Sequence, residues 1–349
     1  MSSSRLVKLA REARRCCLAA VMALGIPPAT LAATPGSSQQ QAAVDALQRA
    51  HAAVVGVEVS ATPGARSAET LGRERSGSGV VIGPDGLVLT IGYLMLEAET
   101  IQVVTQDKRT IPARAIAYDL ATGFGLLRTL LPLRGIAPVT LGSIADLNKG
   151  DALMAASGGE DGDVGLTQVI DKRPFSGYWE YHIEMALFTS PPIDNHSGAA
   201  VFNQRGELLG VGSLLVADTT GQGRPLPGNM FVPVDLLKPI LAELQQNGLS
   251  RQSRRPWLGL TSSEQGGHVR VVRVSQDSPA EEGGMRPGDV VLEVDGASVA
   301  TLEQFYKKLW DRAAPDAEVR LTVQQGEEQR TLTLKPVDRM STMVRPAGI

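Results

Sequence analysis

The chain has 349 residues, enough for two or three domains, with 43% hydrophobic residues, 20% charged residues and a formal net charge of -3. That balance supplies ample core material and excludes a disordered or coiled-coil protein, and without a basic excess nucleic acid is not an expected partner. The 37 glycines and 21 prolines favour many short elements joined by turns, and so a mainly β fold.

In chain order, Arg5, Lys8, Arg11, Arg14 and Arg15 precede an apolar run from Cys16 to Ile26. Pro27 and Pro28 stop the run, and small residues follow to Ala33, so residues 1–33 read as a secretory signal. The run is about half the roughly twenty apolar residues a membrane span needs, so no stable span is expected after cleavage. Cys16 and Cys17 leave with the signal, and the expected compartment is periplasmic or secreted. Residues 34–50 are Ser/Gln/Ala-rich, an expected flexible lead-in to a short helix. Strand-like runs then recur at 54–60, 76–82, 87–90, 100–105, 111–117, 124–129, 152–156, 166–170, 199–202 and 208–216, the pattern of barrels or a sandwich.

Val234, Leu237, Ile240, Leu241 and Leu244 share one face of a helix predicted over 233–246. Residues 247–255 are polar and arginine-rich, an expected linker in which Arg251, Arg254 and Arg255 are solvated. A compact module follows over 256–337. Its Ser278 and Glu281 form a capping box with Pro279 at the first helical position, and Thr301 and Gln304 open a second helix that buries Leu302, Phe305 and Leu309. Residues 338–349 read as a tail.

Two groups of motifs carry a resemblance. Trp257-Leu258-Gly259-Leu260 and the run Gly284-Met285-Arg286-Pro287-Gly288-Asp289 look like a PDZ domain. Gly77-Ser78-Gly79, Pro84-Asp85-Gly86, Leu89-Thr90, Ser197-Gly198 and the run from Asn203 to Gly210 resemble the trypsin-like domain of HtrA-type periplasmic serine proteases. The resemblance covers residues 50 to 337 and implies a trypsin-like double β-barrel over 51–246 followed by the PDZ domain over 256–337.

The family's His, Asp and Ser triad does not carry over intact. The histidine position holds Tyr93, the aspartate position holds Gly123, and only Ser197 remains. A triad needs an imidazole to take the serine proton and return it to the leaving amine. A tyrosine, with an ordinary pKa of about 10, is a neutral donor near pH 7 and has no cationic form. No histidine lies between His51 and His182, and His196, adjoining Ser197 on an extended segment, points to the other side. The oxyanion donors implied by the family are the N–H groups of Ser197 and of Asn195, which stands where the family has glycine and tolerates left-handed dihedrals. The segment 189–197 is also about one residue shorter than the family loop.

Ser197 is therefore read as a retained structural or hydrogen-bonding residue. The leading expectation is an HtrA-like pseudoprotease that binds a polypeptide or protein C-terminus through Leu258, Gly259 and Leu260, with no metal or cofactor. The alternatives are an active serine endopeptidase using Ser197 with a non-standard base, and a homo-oligomer or a subunit that associates with active HtrA-type proteases. The aromatic run from Phe175 to His182 is a packed hairpin or a contact surface, and His182 and His196 read as satisfied core or surface residues rather than a metal pair.

Overall fold

A computed structural model describes residues 35–312 and 316–344. The expected signal lies outside the described residues, and among these no helix is long and apolar enough to cross a membrane. The expected flexible lead-in is instead helical: α1, Pro35–Ala52, continues to the start of the first strand. Its run of Gln, Ala and Leu consists of good helix formers, which outweigh the low-complexity composition.

The first closed barrel contains β1 (Val54–Ala61), β2 (Glu74–Val81), β3 (Leu87–Ile91), β4 (Ala98–Val104), β5 (Thr110–Tyr118) and β6 (Phe124–Thr129), in the order β1-β2-β3-β6-β5-β4. A short helix, α2 (Ala68–Leu71), interrupts the β1–β2 connection. Val57 pairs with Gly77 on one side and Val103 on the other, so β1 is an interior strand of a closed sheet with no free edge. Phe124, Leu126 and Leu127 of β6 are fully buried, each contributing roughly 1.5–3 kcal/mol of apolar burial.

The second closed barrel contains β7 (Ala152–Ala156), β8 (Val164–Gly177), β9 (Tyr181–Ser190), β10 (Ala200–Phe202), β11 (Leu208–Val216) and β12 (Gly228–Pro233), in the order β10-β11-β12-β9-β8-β7. Strands β9 and β12 complete it and have no counterpart in the predicted elements. All six residues of β12 are buried, so no alternation marks it, and exposed Glu184 and Met185 interrupt the buried run of β9. The helix predicted over 233–246 is shorter, α3 (Leu241–Asn247), preceded by turns. Pro239 accounts for this, since it lacks an N–H and disfavours helical geometry in the residue before it.

The last module has a six-stranded sheet core. It comprises β13 (Pro256–Trp257), β14 (Leu260–Gln265), β15 (His268–Val274), α4 (Pro279–Glu282), β16 (Val290–Val294), β17 (Ala297–Ser298), α5 (Leu302–Trp310), β18 (Val319–Gln325), β19 (Glu328–Leu334) and β20 (Val337–Asp338). Both predicted caps form: the Ser278 and Thr301 side chains accept from the N–H groups of Glu281 and Gln304. Leu302, Phe305, Tyr306 and Leu309 anchor α5 in the core.

The expected linker is tied down rather than loose. Asp119 is fully buried and accepts from Thr122 N (2.9 Å), Thr122 Oγ1 (2.6 Å) and the hydroxyls of Ser250 and Ser253. Arg251 and Arg254 are exposed as expected, whereas Arg255 lies with its guanidinium 4.2 Å from the Trp310 ring centre and donates to the His182 carbonyl at 3.1 Å.

Candidate functional site

A cleft of about 340 Å³ separates the two barrels, walled by Gly56, Glu58 and Ser76 of the first and by Gly158, Asp161 and Asp194 to Ser197 of the second. The loop bearing Ser197 is stitched to the first barrel, because Ser78 N donates to the Ser197 carbonyl at 2.8 Å and Thr90 Oγ1 donates to the Ser78 carbonyl at 2.7 Å. This approach requires glycine at position 198. Its φ is +76°, and a Cβ there would lie 1.9 Å from the Ser78 oxygen.

Tyr93 sits on a 3-10 turn, Gly92–Met95, and reaches the serine directly: its hydroxyl lies 2.7 Å from Ser197 Oγ and 3.0 Å from the Ser213 carbonyl. A phenol has one proton and a carbonyl only accepts, so both contacts are satisfied when Tyr93 donates to Ser213 and Ser197 donates to the Tyr93 oxygen. Burial pushes the Tyr93 phenol up to about 12, against a smaller opposing effect of the Ser197 hydrogen bond. At pH 7 that leaves about one phenolate in 10⁵, and the neutral phenol is a very weak base.

Gly123 holds no carboxylate and has φ +83°, and a Cβ there would sit 3.3 Å from the Tyr181 hydroxyl. Its carbonyl accepts from Gly92 N at 2.7 Å, which fixes the turn that carries Tyr93. Asp119, nearby in sequence, is engaged by Ser250, Ser253 and Thr122 as described. His196 is turned to its own loop, with Nδ1 2.9 Å from the Asp194 carbonyl, while Ser197 Oγ pairs with Tyr93.

Asn195 and Ser197 N–H donate to no backbone acceptor among the described residues, whereas the intervening His196 N donates to the Asp194 carbonyl at 2.9 Å. Asn195 does not use the left-handed dihedral expected of it, since it is absent from the residues with positive φ, and its side-chain amide donates to the Asp161 carbonyl at 2.6 Å. Glu58, Glu160, Asp161 and Asp194 all line this cleft, so its walls oppose the negative charge that develops in acyl transfer.

The structure keeps His182 and His196 in separate networks. His182 is buried, with Nδ1 2.9 Å from Ser176 Oγ and Nε2 3.5 Å from Glu184. The neighbouring Glu184 and Glu303 carboxylates are both held by Lys307 Nζ, at 3.0 and 2.7 Å. The aromatic run is both a packed hairpin and a contact surface. Phe175, Trp179 and Tyr181 pack together, with Trp179 and Tyr181 stacked at 5.6 Å, and its tip meets the last module.

At that tip stands a residue that the motifs do not mark, Glu180. Leu258 N donates to its Oε2 at 2.9 Å, and Gly259 N and Leu260 N both donate to its Oε1 at 2.7 Å. The loop predicted to capture a carboxylate therefore holds one, from the side chain of the same molecule. An acidic residue flanked by Tyr178, Trp179 and Tyr181 was the available signal; alternation and motif spacing could not show its partner, about eighty residues away.

Two closed six-stranded barrels with a serine-bearing cleft between them define a trypsin-like peptidase fold, here followed by a PDZ domain. Residues 77–211 match the trypsin-like peptidase domain family and residues 256–335 match the PDZ domain family. The chain therefore joins a trypsin-like peptidase domain to a PDZ domain, and it is similar in sequence to DegP-like proteins. It is 26% identical over 280 residues to a DegP-like periplasmic serine endoprotease of Halomonas elongata, covering 75% of this chain and 56% of that protein. It is 24% identical over 282 residues to the serine protease HhoA of Synechocystis, covering 74% and 70%. The chain thus spans little more than half of the Halomonas relative. In fold it resembles the HtrA-type protease AlgW with a tripeptide, with a TM-score of 0.51 at 21% identity over 84% of this chain and 96% of that one. It also resembles the serine endoprotease of Yersinia pestis, with a TM-score of 0.50 at 21% identity over 84% and 97%.

Proposed function

We propose that this protein is a periplasmic HtrA-like pseudoprotease that binds polypeptides or protein C-termini through its PDZ domain and acts in protein quality control as a chaperone, scaffold or regulator. The observation that carries the reading is the hydrogen bond between Tyr93 and Ser197 Oγ at 2.7 Å, which gives the serine a neutral phenol in place of a base. Loss of a triad's nucleophile or base costs on the order of 10⁶ in turnover. The acidic cleft and the left-handed glycine at 123 point the same way. The periplasmic assignment is supported by the names of the relatives and by the predicted signal.

The test is treatment of the full chain with a serine-reactive fluorophosphonate and an unfolded protein substrate. Neither labelling nor cleavage is expected. Labelling and cleavage that both vanish in Ser197→Ala would establish the second reading, an active serine endopeptidase with a non-standard base. That reading draws on the two oxyanion-type N–H donors at Asn195 and Ser197 and on the relatives' names. Assembly with itself or with active HtrA-type proteases is a further part of the proposal, read out by mass measurement of the complexes.

A further inference from the structure

A PDZ domain binds by adding a peptide as a strand beside its sheet, while a nest of backbone N–H groups in the preceding loop captures the terminal carboxylate. Here the three successive N–H groups of Leu258, Gly259 and Leu260 all converge on the Glu180 carboxylate. The backbone contact is imitated as well: Ser262 N, on β14, donates to the Tyr178 carbonyl at 2.8 Å, one rung of an added strand. Tyr306 of α5, fully buried, clamps the hairpin from the other side, donating to the Gly177 carbonyl at 2.8 Å and accepting from Glu180 N at 3.2 Å. Glu180 has φ +56°, a conformation uncommon outside glycine and one that the surrounding contacts must hold in place.

We propose that Glu180 is an internal ligand of the PDZ domain, a side-chain carboxylate standing where an external chain's terminal carboxylate would bind, so that a polypeptide ending in a free carboxylate binds by displacing Glu180 from Leu258, Gly259 and Leu260. The proposal rests on the peptide-binding reading above and adds a competitor to it. A docked fraction lowers apparent affinity in proportion to the fraction that remains open. Three hydrogen bonds to one carboxyl group, supplied by a tethered hairpin at high effective concentration, suffice for roughly ten- to a hundredfold.

The experiment compares the full-length wild type with Glu180→Ala and with Glu180→Gln, which keeps the side chain's volume and one acceptor oxygen. Amide hydrogen exchange at Leu258, Gly259 and Leu260 is read beside fluorescence polarisation of a labelled decapeptide ending in Leu-Val, as free acid and as C-terminal amide. In Glu180→Ala, exchange at the three amides rises at least about tenfold and the free-acid peptide binds about tenfold or more tighter. Glu180→Gln falls between, and the amide peptide gains nothing. Unchanged exchange at the three amides, or a free-acid peptide bound equally by wild type and Glu180→Ala, overturns internal competition while leaving peptide binding intact. Released amides with no binding of the free-acid peptide to any of the three proteins overturn the peptide-binding reading and the competition built on it.

Discussion

Replacing Tyr93 with phenylalanine keeps the ring and removes only the hydroxyl, so it isolates the contact that stands where a triad would have its base. The Ser213 carbonyl is the group most affected. The β11–β12 register skips from Gly212 to Leu214, so Ser213 lies in a bulge outside the ladder, and the Tyr93 hydroxyl at 3.0 Å supplies a partner for its carbonyl. Ser213 is only 4% exposed, so water replaces that partner poorly. An orphaned buried acceptor costs about 1–3 kcal/mol. For a domain of this size each kcal/mol moves the midpoint by about 2–4 °C, so Tyr93→Phe is expected to lower the Tm by roughly 2–12 °C. A calorimetric scan measures this, and casein hydrolysis followed in parallel is expected to stay at background in both proteins. An unchanged midpoint would refute the tie between Tyr93 and the bulge. Hydrolysis present in the wild type and lost in Tyr93→Phe would refute the inert role given to Tyr93.

Restoring a histidine alone should not restore turnover. Tyr93→His lacks the carboxylate that fixes the imidazole tautomer, and in Gly123→Asp the new side chain meets a φ of +83° and the Tyr181 hydroxyl, so peptidase assays of the single and double variants are expected to remain at background. Asp119→Ala strands the Thr122, Ser250 and Ser253 donors in a buried site, with an expected loss of about 3–5 kcal/mol by denaturant unfolding; a loss below about 1 kcal/mol would show that the clamp is dispensable. Docking of Glu180 should also depend on pH. Burial pushes its carboxyl up to about 7, against the opposing Leu260, Leu258 and Gly259 hydrogen bonds and the Arg339 charge. Freed in water the group returns to about 4.5, so the docked form binds the extra proton; docking is strongest below about 4.5 and weakens as pH rises through about 7. Amide exchange at Gly259 should accordingly accelerate between about pH 5 and 8 beyond its intrinsic base catalysis, and a corrected profile that is flat would contradict the assignment.

Much of the fold is written locally. The Pro84-Asp85-Gly86 turn, with φ +75° at Gly86, and the Ser278 and Thr301 caps each act within a few residues, so their types disclose the geometry they serve. Elements whose character comes from burial on both faces were not legible, as β12 illustrates, and Pro239 shortened a helix whose apolar face was otherwise well formed. Tyr93 and Gly123 at the motif positions, and the stretch without histidine between His51 and His182, were legible because they are matters of residue identity.

What the sequence by itself determined is the order of the modules and the absence of histidine from the first barrel, because both follow from residue types along the chain. Only the tertiary structure decided who occupies the carboxylate-binding loop. A side chain donating or accepting across some eighty residues leaves no periodicity in the chain, and the meeting of Glu180 with Leu258, Gly259 and Leu260 is set by how a β-hairpin tip and a PDZ sheet pack together.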